Sequence, residues 1–169
     1  GVAQYLPRLG LVLGEPQSLE DGKQAWLDAP EWQCLRLLVY DSFVDSDPCE
    51  LFVAQNFALD GLLYPLIYGG FVDDHVALQG GTAVAMLTSF MPEWHDETAR
   101  WIDAVIKAAG AESDANKALL RGWAGHWMDR AQAALSPIAR LALGETGETV
   151  LSDARVQLQA RLAKTGVTA

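Results

Sequence analysis

Glu97 and Arg100 stand three residues apart in the stretch TAVAMLTSFMPEWHDETARWIDAVIKAA, residues 82–109. On a helix this spacing sets two side chains on one face, one turn apart. A glutamate with a histidine at that distance is a unit from which carboxylate-rich di-metal centres are built between facing helices. Arginine cannot take the histidine's part, because its guanidinium stays protonated and offers no lone pair. The helix suits such a centre, and the donor set does not.

The neighbouring residues Asp73, Asp74, His75, Glu93, His95, Asp96 and Glu97 include the hard and borderline donors that iron, manganese or zinc prefer. Their spacing works against a shared ion. Glu93 and His95 project about 200° apart around a helix, and the adjacent pair Asp74 and His75 also diverges. The plain reading is a solvated polar face with helix-surface ion pairs, Glu97 with Arg100 and Asp103 with Lys107, each worth about 0.2–0.5 kcal/mol. His126 lies off the stripe drawn by Trp123 and Trp127 and reads as a surface or interface residue. No G-x-S-x-G turn, glycine-rich phosphate loop or Cys–His pair on a strand scaffold occurs. The sequence therefore yields no catalytic, cofactor-binding or metal-ligating residue. Two competing readings stay open: a metal-dependent helical enzyme using Glu93, Glu97, His95 and His75, and a small-molecule-binding module whose pocket the six tryptophans line.

Behind these residues is a chain of 169 residues, half of them apolar, which suffices for one helical domain or for a fragment of a larger subunit. Its net charge of −10 and pI of about 4.6 disfavour nucleic acid and anionic membrane surfaces as partners. No run of about 18 apolar residues free of charges or paired glycines, and no signal-peptide pattern, is evident. Cys34 and Cys49 lack C-x-x-C spacing and are expected as reduced, packed thiols, which places the chain in the cytoplasm.

Helical periodicity and punctuation dominate, and no useful period-2 pattern appears, so the expected class is all-α. An apolar segment spans Val2–Leu13. A short helix is expected from Asp21 or Gly22 to Leu27, and another from Pro30 to about Tyr40, with Trp26 and Trp32 packing in this region. Asp47-Pro48 caps a helix to about Tyr68 that is apolar nearly all round, with Gln55, Asn56 and Asp60 its clearly polar members besides tyrosine. Gly69-Gly70 and Gly80-Gly81 bracket a short segment, FVDDHVALQ, that either continues the helix with a break or forms a separate turn. Thr82 then caps the helix over residues 82–109, about 42 Å long, with a kink at Pro92 and a stripe of Ala83, Leu87, Phe90, Trp94, Trp101 and Val105. Ser113 or Asp114 caps a helix to about Leu143, bent or ended by Pro137, with Leu120, Trp123, Trp127, Ala131, Leu135 and Ile138 in line. An amphipathic helix follows over Glu148–Lys164.

Three segments carry a family resemblance: WLDAPEWQCLR at residues 26–36, DPCELFVAQNFALDGLLYPL at residues 47–66 and NKALLRGWAGHW at residues 116–127. They resemble the β subunit of the hydroxylase component of bacterial multicomponent di-iron monooxygenases. The runs GLLYPLIY and FMPEWH are most similar to the phenol hydroxylase branch. The resemblance implies a ferritin-like long-helix bundle, in its non-metal-binding half or subunit, matching the C-terminal half of β. It implies partners, namely α and γ subunits in an (αβγ)2 hydroxylase, a regulatory protein and a reductase. It implies no cofactor in this chain: the di-iron centre belongs to α, and NADH with flavin and iron–sulfur groups to the reductase. Substrate choice, phenol or another aromatic, would rest with α.

Overall fold

A computed structural model describes residues 2–167, and they are mostly helical, with no strand among them. The order is Val2–Val12, Ser18–Asp28, Pro30–Ser42, a central helix Pro48–Gln79, a short helix Thr82–Thr88, a tryptophan helix Phe90–Glu112, a long helix Asp114–Leu143 and a last helix Gly147–Lys164. The all-α expectation holds.

Asp47 sets the start of the central helix. Its backbone is extended, and its Oδ1 accepts from the N–H groups of Cys49 at 2.8 Å and Glu50 at 3.3 Å, with Pro48 in the first turn. The helix then passes Tyr68 and the Gly69-Gly70 pair without a break and continues to Gln79. It does so by widening. Residues Val53–Leu59 and Pro65–Val76 wind with i→i−5 hydrogen bonds, as from the Asp60 N–H to the Gln55 carbonyl and from Ala77 to Val72. Two side-chain effects favour the wide turns. Pro65 has no N–H for the Gly61 carbonyl, and the Asn56 side-chain amide takes the Phe52 carbonyl at 3.3 Å. Gly80, at φ +98°, ends the run in a conformation that suits glycine.

By length and composition alone this helix could cross a membrane, although Asp60 and the Gly69-Gly70 pair interrupt its apolar run as the sequence shows. In the fold its apolarity has a nearer cause, since Phe57, Leu62 and Leu66 are fully enclosed by other helices. The last helix packs closely against it. A Cβ on Gly61 would lie 2.7 Å from Leu158 Cδ1, and one on Gly70 would lie 2.8 Å from Val150 Cγ1, so both glycines hold the contact open.

Ser113 caps the long helix, its hydroxyl accepting from the Asn116 N–H at 3.1 Å. The helix carries Pro137 without ending and reaches Leu143. The stripe read from sequence is its core face: Leu120, Trp127, Ala131, Leu135 and Ile138 are buried. They join Ile102 and Ile106 of the tryptophan helix and Leu151 and Leu158 of the last helix in one hydrophobic cluster around the central helix.

Three smaller expectations change. The second helix starts at Ser18 rather than Asp21. Thr82 is not a cap, since Gly81 occupies that place and the Thr82 hydroxyl turns back to the Ala77 carbonyl. The expected helix over residues 82–109 is interrupted at Ser89, just before Pro92, whose missing N–H and ring disfavour continuation through Thr88.

Candidate functional site

The polar residues singled out by sequence are not brought to one point. Asp73, Asp74, Glu93, Asp96, Glu97 and Arg100 are exposed. His75 turns to Gln79, with Nε2 atoms 3.0 Å apart, and its ring lies 6.0 Å from that of Phe71. His95 stacks on Tyr64, ring centroids 4.6 Å apart and planes at 11°. His126 is exposed, its ring edge-on to Trp127 at 5.4 Å. Among the described residues no group of three or more His, Cys, Asp or Glu side chains is placed to hold a metal ion. The donors present do not fit a di-iron centre.

Both expected ion pairs are corrected. Glu97 and Arg100 form none within 4 Å among the described residues. Asp103 turns away from Lys107 to Arg161 of the last helix, which donates from Nη2 at 2.7 Å and Nε at 3.2 Å. The reason is burial. Arg161 also lies over the Phe57 ring at 5.4 Å, where a planar cation is half shielded from water and a carboxylate gains more than it would from an exposed lysine. The cysteines are corrected too, since Cys34 and Cys49 are free but exposed rather than packed.

What the structure does assemble is an aromatic and apolar face where the central and tryptophan helices lie side by side. Tyr64 sits 5.3 Å from Tyr68 and 6.1 Å from Trp94, and Phe52 meets Trp101 edge-on at 5.5 Å. Beside Trp101 opens a cavity of about 320 Å³, lined by Pro48, Phe52, Val53, Val105 and Ile106 among others. The stripe expected along this helix is therefore real but looks outward. Trp101 is 57% exposed and Trp94 is 50% exposed, while Met91, Ala99, Ile102 and Ile106 form the buried side.

Burial shifts several ionisable groups beside this face. Burial raises the Asp60 carboxyl to about 6, and the group has no hydrogen-bond or ion-pair partner among the described residues. Burial, then the charge of Asp60, pushes the Tyr64 hydroxyl to about 12, and burial raises Tyr68 as well. His95 is lowered by burial and by the Arg161 charge, against a smaller opposing effect of Asp96, which favours neutral imidazole at pH 7. The chemistry this arrangement supports is recognition by apolar contact. Sequence reasoning noticed Asp60 as a polar break in an apolar helix but missed Tyr64, Phe52 and Arg161, because each acts through a partner distant in the chain.

Fold and face together define a ferritin-like helical bundle unit with an apolar aromatic flank. The chain belongs to the methane/phenol/alkene hydroxylase family, whose profile matches residues 1–113. It is 46% identical to the phenol 2-monooxygenase oxygenase component DmpL of Pseudomonas sp. strain CF600, over 99% of this chain and 50% of that one. It is 28% identical to the propane 2-monooxygenase hydroxylase component small subunit of Mycolicibacterium goodii, over 80% of this chain and 39% of that one. A xenon-pressurized crystal structure of phenol hydroxylase from Pseudomonas sp. OX1 superposes with a TM-score of 0.86 at 40% identity, over 98% of this chain and 50% of its counterpart. The chain thus spans about half the length, or less, of these relatives, and it is a phenol hydroxylase-like sequence.

Proposed function

We propose that this chain is part of a non-catalytic β-type subunit of a multicomponent aromatic monooxygenase hydroxylase, supporting a separate α-type subunit that carries the di-iron centre. The observation that carries this reading is the character of the tryptophan helix. Where a Glu-x-x-His unit would close, Arg100 stands on an exposed face, and Asp103 is committed to Arg161. The helix is equipped for contact and poor in metal donors. A relative named as a hydroxylase component small subunit is in keeping with this division of labour.

On this reading γ subunits, a regulatory protein and an NADH-dependent reductase with flavin and iron–sulfur groups complete the system, phenol-type aromatics are the substrate class, and α selects among them. Two exposed unpaired thiols suit a cytoplasmic location. The test is to produce the α-type subunit with and without the full-length β-type subunit and to measure soluble yield, iron content and phenol hydroxylation. The expected result is loss of soluble protein or iron without β. Full iron and full activity in α alone would refute the support role.

A further inference from the structure

Between the long helix and the last helix lies another cavity, of about 330 Å³, that shares no lining residue with the one beside Trp101. Its floor is Met128, Leu162 and Val167, which are 3%, 8% and 1% exposed. Arg121 and Arg155 also line it, and no acidic side chain does among the described residues. In a chain with 22 acidic and 12 basic residues, such a cavity is a local reversal of charge. Asp129 and Gln132 hold Arg155 from outside the lining: its Nη2 donates to Asp129 Oδ1 at 2.5 Å and its Nη1 to Gln132 Oε1 at 2.8 Å. These contacts fix the guanidinium and leave it N–H groups to spare. Gly125 opens the cavity on the side of the long helix. A Cβ there would meet no atom within 4 Å, and its φ is not positive. Unlike Gly61 and Gly70 it makes room for no other part of the chain, although glycine is less stable than alanine inside a helix.

We infer that this cavity binds a small organic carboxylate with a ring-sized apolar body, of the benzoate kind. The body lies on Met128, Leu162 and Val167, in the space that Gly125 leaves, and the carboxylate turns to Arg155 and Arg121. The volume suffices, since an apolar cavity of about 150 Å³ already admits benzene. Arginine suits the head group, because its planar fork matches a carboxylate and is more weakly hydrated than an ammonium. A neutral aromatic molecule would leave the arginines unused, and an inorganic anion would leave the buried apolar floor unfilled. The inference rests on residues of this chain alone, so it stands or falls separately from the support role proposed above.

The experiment irradiates the full-length protein that contains this chain, in the assembly in which it purifies, with the photoreactive probe 4-azidobenzoate. Peptide mass spectrometry should place the label within residues 121–128 or 155–167. Benzoate should abolish that label, and equal concentrations of benzyl alcohol or acetate should not. Arg155→Gln should lose the label by removing the charge, and Gly125→Leu should lose it by filling the space, with thermal melting to show that each variant is folded. Four outcomes would overturn the inference: no label in either segment; competition by benzyl alcohol equal to that by benzoate, which would show a site for the apolar body alone; equal competition by acetate, which would show an adventitious ion only; or retention of the label in either folded variant.

Discussion

Arg161 ties the last helix to the tryptophan helix through a two-pronged contact with Asp103 and lies over Phe57 of the central helix, so one side chain touches three elements. Both partners of the ion pair are less than a third exposed, which keeps solvent from screening it fully. Arg161→Ala should cost about 2 kcal/mol in urea denaturation. Lys107→Ala should stay within about 0.5 kcal/mol, as for an ordinary surface change. A second residue-scale expectation concerns Asp60. The folded chain holds its proton more tightly than the unfolded chain, so the group's contribution is most favourable below the ordinary value of 3.8 and is lost as pH rises to about 6. The shift corresponds to about 3 kcal/mol by linkage, reduced to about 1–2 kcal/mol by partial contact with water. Asp60→Asn should therefore be the more stable protein at pH 7.5, and its advantage should shrink between pH 6 and pH 4.5. Equal stability of the two proteins across that range would show that the carboxyl is well solvated.

At the scale of elements, the helix starts at Asp47 and Ser113 and the core face of the long helix were legible because each is a local matter of capping or of 3.6-residue periodicity. Whether the central helix continues through Gly69-Gly70 was left open. Paired glycines normally mark a turn, and here Gly70 marks the place where Val150 of a distant helix presses in, as Leu158 does at Gly61. Close approach gives a graded prediction. A Cβ at Gly147 would lie 2.2 Å from the backbone oxygen of Ala139, which cannot step aside, so Gly147→Ala should cost about 3 kcal/mol. Gly61→Ala meets the ends of the Leu158 side chain, which can shift, and should cost about 1 kcal/mol. Gly22→Ala, in an exposed helix with open space around it, should stabilise by about 0.5 kcal/mol. Thermal melts of the three variants should rank them in that order.

For the whole molecule, the cluster around the central helix is not evenly shared. The helix Ser18–Asp28 buries no residue, and the one before it leaves Leu11 and Val12 exposed, whereas the central and long helices hold the most enclosed side chains. Hydrogen exchange should therefore show residues 2–28 opening far more readily than residues 53–66 and 124–139, which should exchange only through global unfolding. Uniform protection would contradict this division. The all-α class, most of the helix spans and the poverty of metal donors at Glu97 and Arg100 were determined by the sequence itself, because capping, periodicity and ligand chemistry are carried by neighbouring residues. Tertiary structure alone decided that Asp103 belongs to Arg161, that Asp60 is left half-buried without a hydrogen-bond or ion-pair partner among the described residues, and that the tryptophan stripe faces outward. Periodicity reveals that a helix has an apolar side, and only the packing of distant helices determines whether that side is covered.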